Sequence, residues 1–130
     1  MKFTIAVHGA PYGSFANERA LKFCQACVAS GHEIVRVFFY HEAVLSGLNS
    51  TVPPQDEIDV TQAWADFADT HQTELAVCIA NGIKRGVLSD TEQARYDKPS
   101  PTLAQPFELV GLGQLIDAMA SSDRYVEFPA

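Results

Sequence analysis

Three cysteines hold most of the nucleophilic chemistry open to this 130-residue sequence, and they fall in two settings. Cys78 lies near the end of the apolar run Leu75-Ala-Val-Cys-Ile-Ala80, which reads as a buried strand running out at Cys78 or shortly after it, with a short helix following and ending at Gly86. A thiol between a strand and a helix N-terminus sits among free backbone N–H donors. Those donors and the helix dipole favour the thiolate, the nucleophilic form, and a negatively charged persulfide gains from the same field. The same position equally suits an inert residue, because free cysteine is among the most buried residue types. Position by itself leaves both readings open. Lys84 and Arg85 add positive charge further on; on one continuous helix they stand roughly 9–11 Å from Cys78 along the axis, where the screened effect is small. Their expected tasks are to grip an acidic partner or to cap the helix C-terminus.

Cys24 and Cys27 form a Cys-x-x-Cys inside Ala20-Leu-Lys-Phe-Cys-Gln-Ala-Cys-Val-Ala29. Redox-active pairs of this type sit at a helix N-terminus, whereas this one falls in mid-helix. Residues three apart share a face with Ala20 and Val28, so both thiols are expected in the core. A zinc site needs more ligands at suitable spacing, and there is no second cysteine pair. The loop His8-Gly-Ala-Pro-Tyr-Gly13 is neither G-x-G-x-x-G nor a Walker A sequence, and Pro11 removes one N–H that could cradle a phosphate. It reads as a tight turn, with the lining of a thiol pocket or a subunit contact as the functional alternative. The four histidines are scattered. None pairs with Cys78 by spacing, although His8 or His41 could reach the same edge, and a strand-end histidine is ordinarily a hydrogen-bonded surface residue. Trp64 and Phe67 have core spacing, and Asp56, Glu57 and Asp59 read as a helix N-terminal cluster.

The elements that must position these groups alternate. Strands are predicted at residues 3–7, Glu33–Tyr40, 75–80, 107–110 and 123–128. A helix capped by Ser14 or Asn17 runs to about Ser30 and ends at Gly31. A short helix or turn spans Glu42–Leu48, and a helix spans Glu57–His71 with Ile58, Val60, Trp64, Phe67 and Ala68 for its inner face. A helical turn at Thr91–Tyr96 and a helix entered through Gly111 complete the order. This alternation requires a single three-layer α/β/α domain over residues 1–130, with a mainly parallel five-stranded sheet. Functional groups in such sheets gather outside the carboxyl ends of the strands. That places the His8–Gly13 loop, Tyr40–His41 and Cys78 on one edge.

Sixteen acidic against nine basic residues give a net charge of −7. That argues against direct nucleic-acid binding, which needs clustered Lys and Arg, while an acidic body can still dock a basic partner. No apolar run reaches the roughly 18–20 residues that a membrane span requires. The opening Met-Lys-Phe-Thr-Ile-Ala-Val is too quickly interrupted for a secretory signal, and an odd cysteine count suits a reducing cytoplasm.

Several segments together carry a resemblance: Gly9-Ala-Pro-Tyr-Gly13 after the opening strand, Val37-Phe-Phe-Tyr-His-Glu-Ala-Val44, and Asp59–Trp64 with its Ala-Trp pair. To these are added Val77-Cys-Ile-Ala-Asn-Gly-Ile-Lys-Arg-Gly-Val87, Gly111-Leu-Gly-Gln-Leu115 and Asp123-Arg-Tyr-Val-Glu-Phe128. In order and spacing the chain resembles the TusD/DsrE family of sulfur-relay subunits nearly end to end. The resemblance implies that Cys78 is the catalytic residue of a sulfurtransferase, receiving and passing on a persulfide sulfur with no cofactor and no metal. It implies TusB-like and TusC-like subunits in a heterohexamer, a TusA-like sulfur donor and a TusE-like acceptor. The sulfur would end in the 2-thio group of the tRNA wobble uridine, or, in the DsrE branch, serve sulfur oxidation. A local departure is Asn81-Gly82, where similar sequences carry small alanine-like residues; glycine weakens a helix by about 1 kcal/mol, so a looser segment is expected after Cys78. A non-catalytic interaction subunit and a flavodoxin-like cofactor binder are the rival classes.

Overall fold

The computed structural model describes residues 1–130. Five strands, β1 (Lys2–Val7), β2 (Glu33–Phe39), β3 (Glu74–Cys78), β4 (Glu108–Val110) and β5 (Arg124–Phe128), form one sheet in the order β4-β3-β2-β1-β5. Every pairing is parallel, so the mainly parallel sheet expected from the sequence is wholly so. The inner strands are covered on both faces. That is why Ile34-Val-Arg-Val-Phe-Phe39 and Leu75-Ala-Val-Cys78 read as near-continuous apolar runs rather than as alternations.

Five helices connect the strands: α1 (Ala16–Ala29), α2 (Val60–His71), α3 (Ile79–Ile83), α4 (Asp90–Arg95) and α5 (Leu112–Ala120), with a 3-10 helix at His41–Gly47 after β2. Stepping from β1 through β4 in one direction with right-handed crossovers places α1 and α2 on a single face. There Phe39 meets Trp64 edge-on at 5.4 Å between ring centroids, and the core gathers Ile5, Val37, Ala20 and Cys24. The return from β4 to β5 reverses direction and carries α5 to the opposite face. There Thr4 Oγ1 donates to the Ala118 carbonyl at 3.0 Å and Arg36 Nη1 to the Gln114 carbonyl at 2.7 Å. The result is the three-layer α/β/α arrangement.

Some boundaries differ for identifiable reasons. α2 begins at Val60, not Glu57, because Asp59 is its N-cap and accepts from the Gln62 N–H at 3.0 Å. Ile58 thereby falls outside the helix and is 52% exposed rather than part of the inner face. β4 begins one residue after Phe107, whose ring turns inward onto Phe39. α1 starts after Phe15 with no side-chain cap; Ser14 accepts from the Ala16 N–H at 3.1 Å, and Asn17 is not a cap at all. Asn17 is buried, donating to the Gly9 carbonyl at 2.9 Å and accepting from Ser46 Oγ at 3.0 Å and Trp64 Nε1 at 2.9 Å. The helix does end as predicted, with Gly31 at φ +87°, a conformation that glycine alone adopts without strain.

Candidate active site

Cys78 is the last residue of β3, paired with Val110 of β4, and at the same time the N-cap residue of α3. The side chain is buried, with 2% of the residue exposed. The helix that follows is a single turn. It stops at Ile83, and the chain reverses through Gly86 at φ +83°.

That turn sets the surroundings of the sulfur. Residue 81 lies one helical turn after the cysteine, and the Asn81 Nδ2 donates to Cys78 Sγ at 3.1 Å. Asn81 is in turn held by Arg85, whose Nη1 donates to the Asn81 carbonyl at 3.2 Å and to its Oδ1 at 3.3 Å. Arg85 is anchored from the 3-10 helix, donating from Nε to Glu42 Oε1 at 2.7 Å. Arg85 thus stays out of direct contact with the thiol, as the spacing predicts, but reaches it through one intervening amide. Lys84 forms no ion pair; with Lys98 it lines a groove of about 880 Å3 beside α3, walled by Ile83, Leu88 and Tyr96.

The departure Asn81-Gly82 acquires a different meaning. A Cβ at Gly82 would lie 3.2 Å from Leu109 Cδ2 and 3.4 Å from Val77 Cγ1. Glycine here lets α3 lie close on β3 and β4, and the segment is packed rather than loose. Asn81 supplies the one side-chain hydrogen bond to the sulfur. In the sequence Asn81 stands out only as part of the Asn81-Gly82 departure; its spacing of three from Cys78 is the signal for a contact with the sulfur.

The other candidates sort clearly. Strand ends bring His8 and His41 together, Nδ1 to Nδ1 at 3.2 Å, with the Tyr40 ring against both. Their contact is with each other, and neither forms a hydrogen bond with Cys78. Burial lowers the pKa of His8; the Glu127 carboxylate 3.9 Å from its Nε2 opposes this, and His41 adds to it. Burial and then the hydrogen bond from its hydroxyl to Glu127, at 2.6 Å, push the Tyr125 phenol up. Cys24 and Cys27 are buried in α1, and burial raises both thiols, with mutual repulsion adding at Cys24. They remain protonated core residues, as the mid-helix position predicts.

The glycine loop is a tight turn locked to its neighbours. Gly9 approaches Ser14 so closely that a Cβ would stand 2.2 Å from its Oγ. Tyr12 donates to the Ile58 carbonyl at 2.9 Å and accepts from the Val60 N–H at 3.2 Å, tying the loop to the start of α2. The loop lines a cavity with Trp64 and Ile58, away from the thiol. No cluster of three His, Cys, Asp or Glu side chains is placed to hold a metal ion.

The chain is a parallel α/β domain whose third strand delivers a cysteine to a helix start. The DsrE/DsrF-like family profile matches residues 1–128, and the chain belongs to that family. It is 46% identical over 128 residues to a sulfurtransferase TusD homolog of Pseudomonas aeruginosa, covering 98% of this chain and 97% of that one. It is 39% identical to the sulfurtransferase TusD of Salmonella newport, covering 98% and 100%. A DsrE protein of Allochromatium vinosum is 37% identical, covering 98% of each chain. Among solved structures, the YchN protein of E. coli superposes with a TM-score of 0.78 at 22% identity, covering 98% of this chain and 99% of that one, which supports the fold.

Proposed function

We propose that this chain is a sulfurtransferase of a sulfur relay, with Cys78 as the persulfide carrier. The observation that carries the reading is a cysteine at the β3–α3 junction with an amide N–H 3.1 Å from its sulfur, in a chain aligned nearly end to end with TusD-named sulfurtransferases. The Cys78 thiolate attacks the outer sulfur of a donor persulfide. The S–S bond of the donor breaks, the donor thiolate leaves, and Cys78 holds the outer sulfur as a persulfide. An acceptor thiolate then attacks that outer sulfur and releases the Cys78 thiolate. Each transfer forms one S–S bond and breaks one, so no outside oxidant or reductant enters.

The partners in this reading are a TusA-like donor, a TusE-like acceptor, and TusB-like and TusC-like subunits in a heterohexamer, working in the cytoplasm. The pathway is 2-thiolation of the tRNA wobble uridine. The 46% identity to a TusD homolog, against 37% to a DsrE protein, favours it over sulfur oxidation. With a net charge of −7 the chain hands sulfur to a protein rather than to tRNA. Because Cys78 is 2% exposed, a docked partner must open the site for transfer.

Intact mass after incubation with a persulfidated carrier protein tests the thiol role. Wild type gains one sulfur and Cys78→Ser gains none; equal labelling of both would sink the proposal. For the pathway, cells whose own copy is replaced by Cys78→Ser lose 2-thiouridine from their tRNA, and an unchanged level would point to sulfur oxidation instead.

A further inference from the structure

We infer that Asn81 is the hydrogen-bond donor that steadies the negative charge the Cys78 sulfur carries during transfer, and that Arg85, anchored by Glu42, is the positioning residue that aims it. The inference rests on the reading of Cys78 as a sulfur carrier and names the groups that tune it. An asparagine amide can present either its oxygen or its nitrogen to a neighbour, and only the nitrogen can donate to a thiolate. The Arg85 guanidinium settles the choice. It has no acceptor, so the edge of Asn81 facing Arg85 at 3.3 Å must be Oδ1, which turns Nδ2 toward Sγ. A second bond from the same Nη1 to the Asn81 carbonyl at 3.2 Å fixes the backbone of that turn relative to the guanidinium.

Glu42 gives this arrangement its rigidity. Its carboxylate takes Arg85 Nε at 2.7 Å, and the ion pair also engages Nη2. Being paired, the guanidinium adds little net positive field at the sulfur. Its effect passes through the amide it orients. The amide bond to the sulfur strengthens when the acceptor becomes charged. A donor aimed in advance therefore favours thiolate over thiol, and the persulfide anion over its neutral form.

The pH profile of Cys78 alkylation by iodoacetamide, read by mass spectrometry of the peptide containing it, separates this from a packing role. Asn81→Ala, a change toward a better helix former, is expected to move the half-maximal pH upward by about one unit, the size of a modest hydrogen bond to a charged group. Asn81→Asp moves it further, since a carboxylate has no donor to offer. Arg85→Ala moves it in the same direction by less. The Asn81→Ala/Arg85→Ala double variant matches Asn81→Ala alone, because Arg85 acts through the amide. A looser pocket raises the plateau rate at every pH and leaves the midpoint in place. An unmoved midpoint in Asn81→Ala overturns the inference, and additive shifts in the double variant overturn the role of Arg85. Failure of wild type to take up sulfur from a persulfidated carrier overturns the carrier reading instead, and the alkylation profile then still decides whether Asn81 tunes the thiol.

Discussion

Asn17 shows how much one side chain can hold in this fold. Its amide group satisfies the Gly9 carbonyl, the Ser46 hydroxyl and the Trp64 indole at once, joining the loop after β1, the 3-10 helix and α2. Asn17→Ala leaves three buried polar groups short of a partner, at about 1–3 kcal/mol each before relaxation. A loss of about 3 kcal/mol or more in urea unfolding is the expected outcome. Gly82→Ala is the second sensitive position. The added methyl crowds Leu109 and Val77, and overpacking of about 1–3 kcal/mol outweighs the gain in helix propensity. Its unfolding midpoint should fall, and the Asn81 donor should be displaced with the helix. An unchanged midpoint would mean that the contact relaxes freely. Neither residue announces itself in sequence. An asparagine near a helix start reads as a cap, and its partners lie 29 and 47 residues away. The role of Asn81 likewise depends on an arginine that reaches back one turn and on a glutamate from another element, 43 residues from that arginine.

At the level of elements, the period of the apolar residues makes the β-α order readable, and handedness then dictates the layers. What stays hidden is local: where caps fall, and which of two neighbouring residues turns inward. Strand ends converge on one edge as expected, but Cys78, closing β3, stays buried while the His8–His41 pair forms a separate contact. That pair gives the fold a pH response. Burial holds the folded pKa of His8 below the usual 6.5. As pH falls through about 6.5 the unfolded chain takes up a proton that folded His8 resists, so stability declines until folded His8 itself protonates. The groups facing it are His41, Glu127 and the Tyr40 ring. In His8→Gln the fall in Tm between about pH 7.5 and 5.5 should be shallower than in wild type. Equal slopes would assign the response to other groups.

For the whole molecule, the layer opposite α1 and α2 holds only α5, and the outer side of that helix is apolar. Leu112, Ile116 and Met119 are 51%, 63% and 39% exposed. A stripe of this kind, at helical spacing on an acidic body, is the sort of surface that subunits cover. The proposed assembly with related subunits yields a direct expectation. Ile116→Glu should change the stability of the isolated chain by no more than about 0.5 kcal/mol, while abolishing co-elution with TusB-like and TusC-like subunits on size exclusion. Retained co-elution would place the interface elsewhere.

The burial of Cys78 bears on how a sulfur held there in the proposed role would be kept. The outer sulfur of a persulfide can be drawn off by any small thiol that reaches it. In the proposed carrier role, a sulfur on a residue only 2% exposed in the isolated chain is shielded from that leak. Its loss to the background then follows how often the closed site opens unaided, and delivery follows how well the right protein opens it. In that role, fidelity of delivery becomes a matter of who holds the key rather than of how reactive the cargo is.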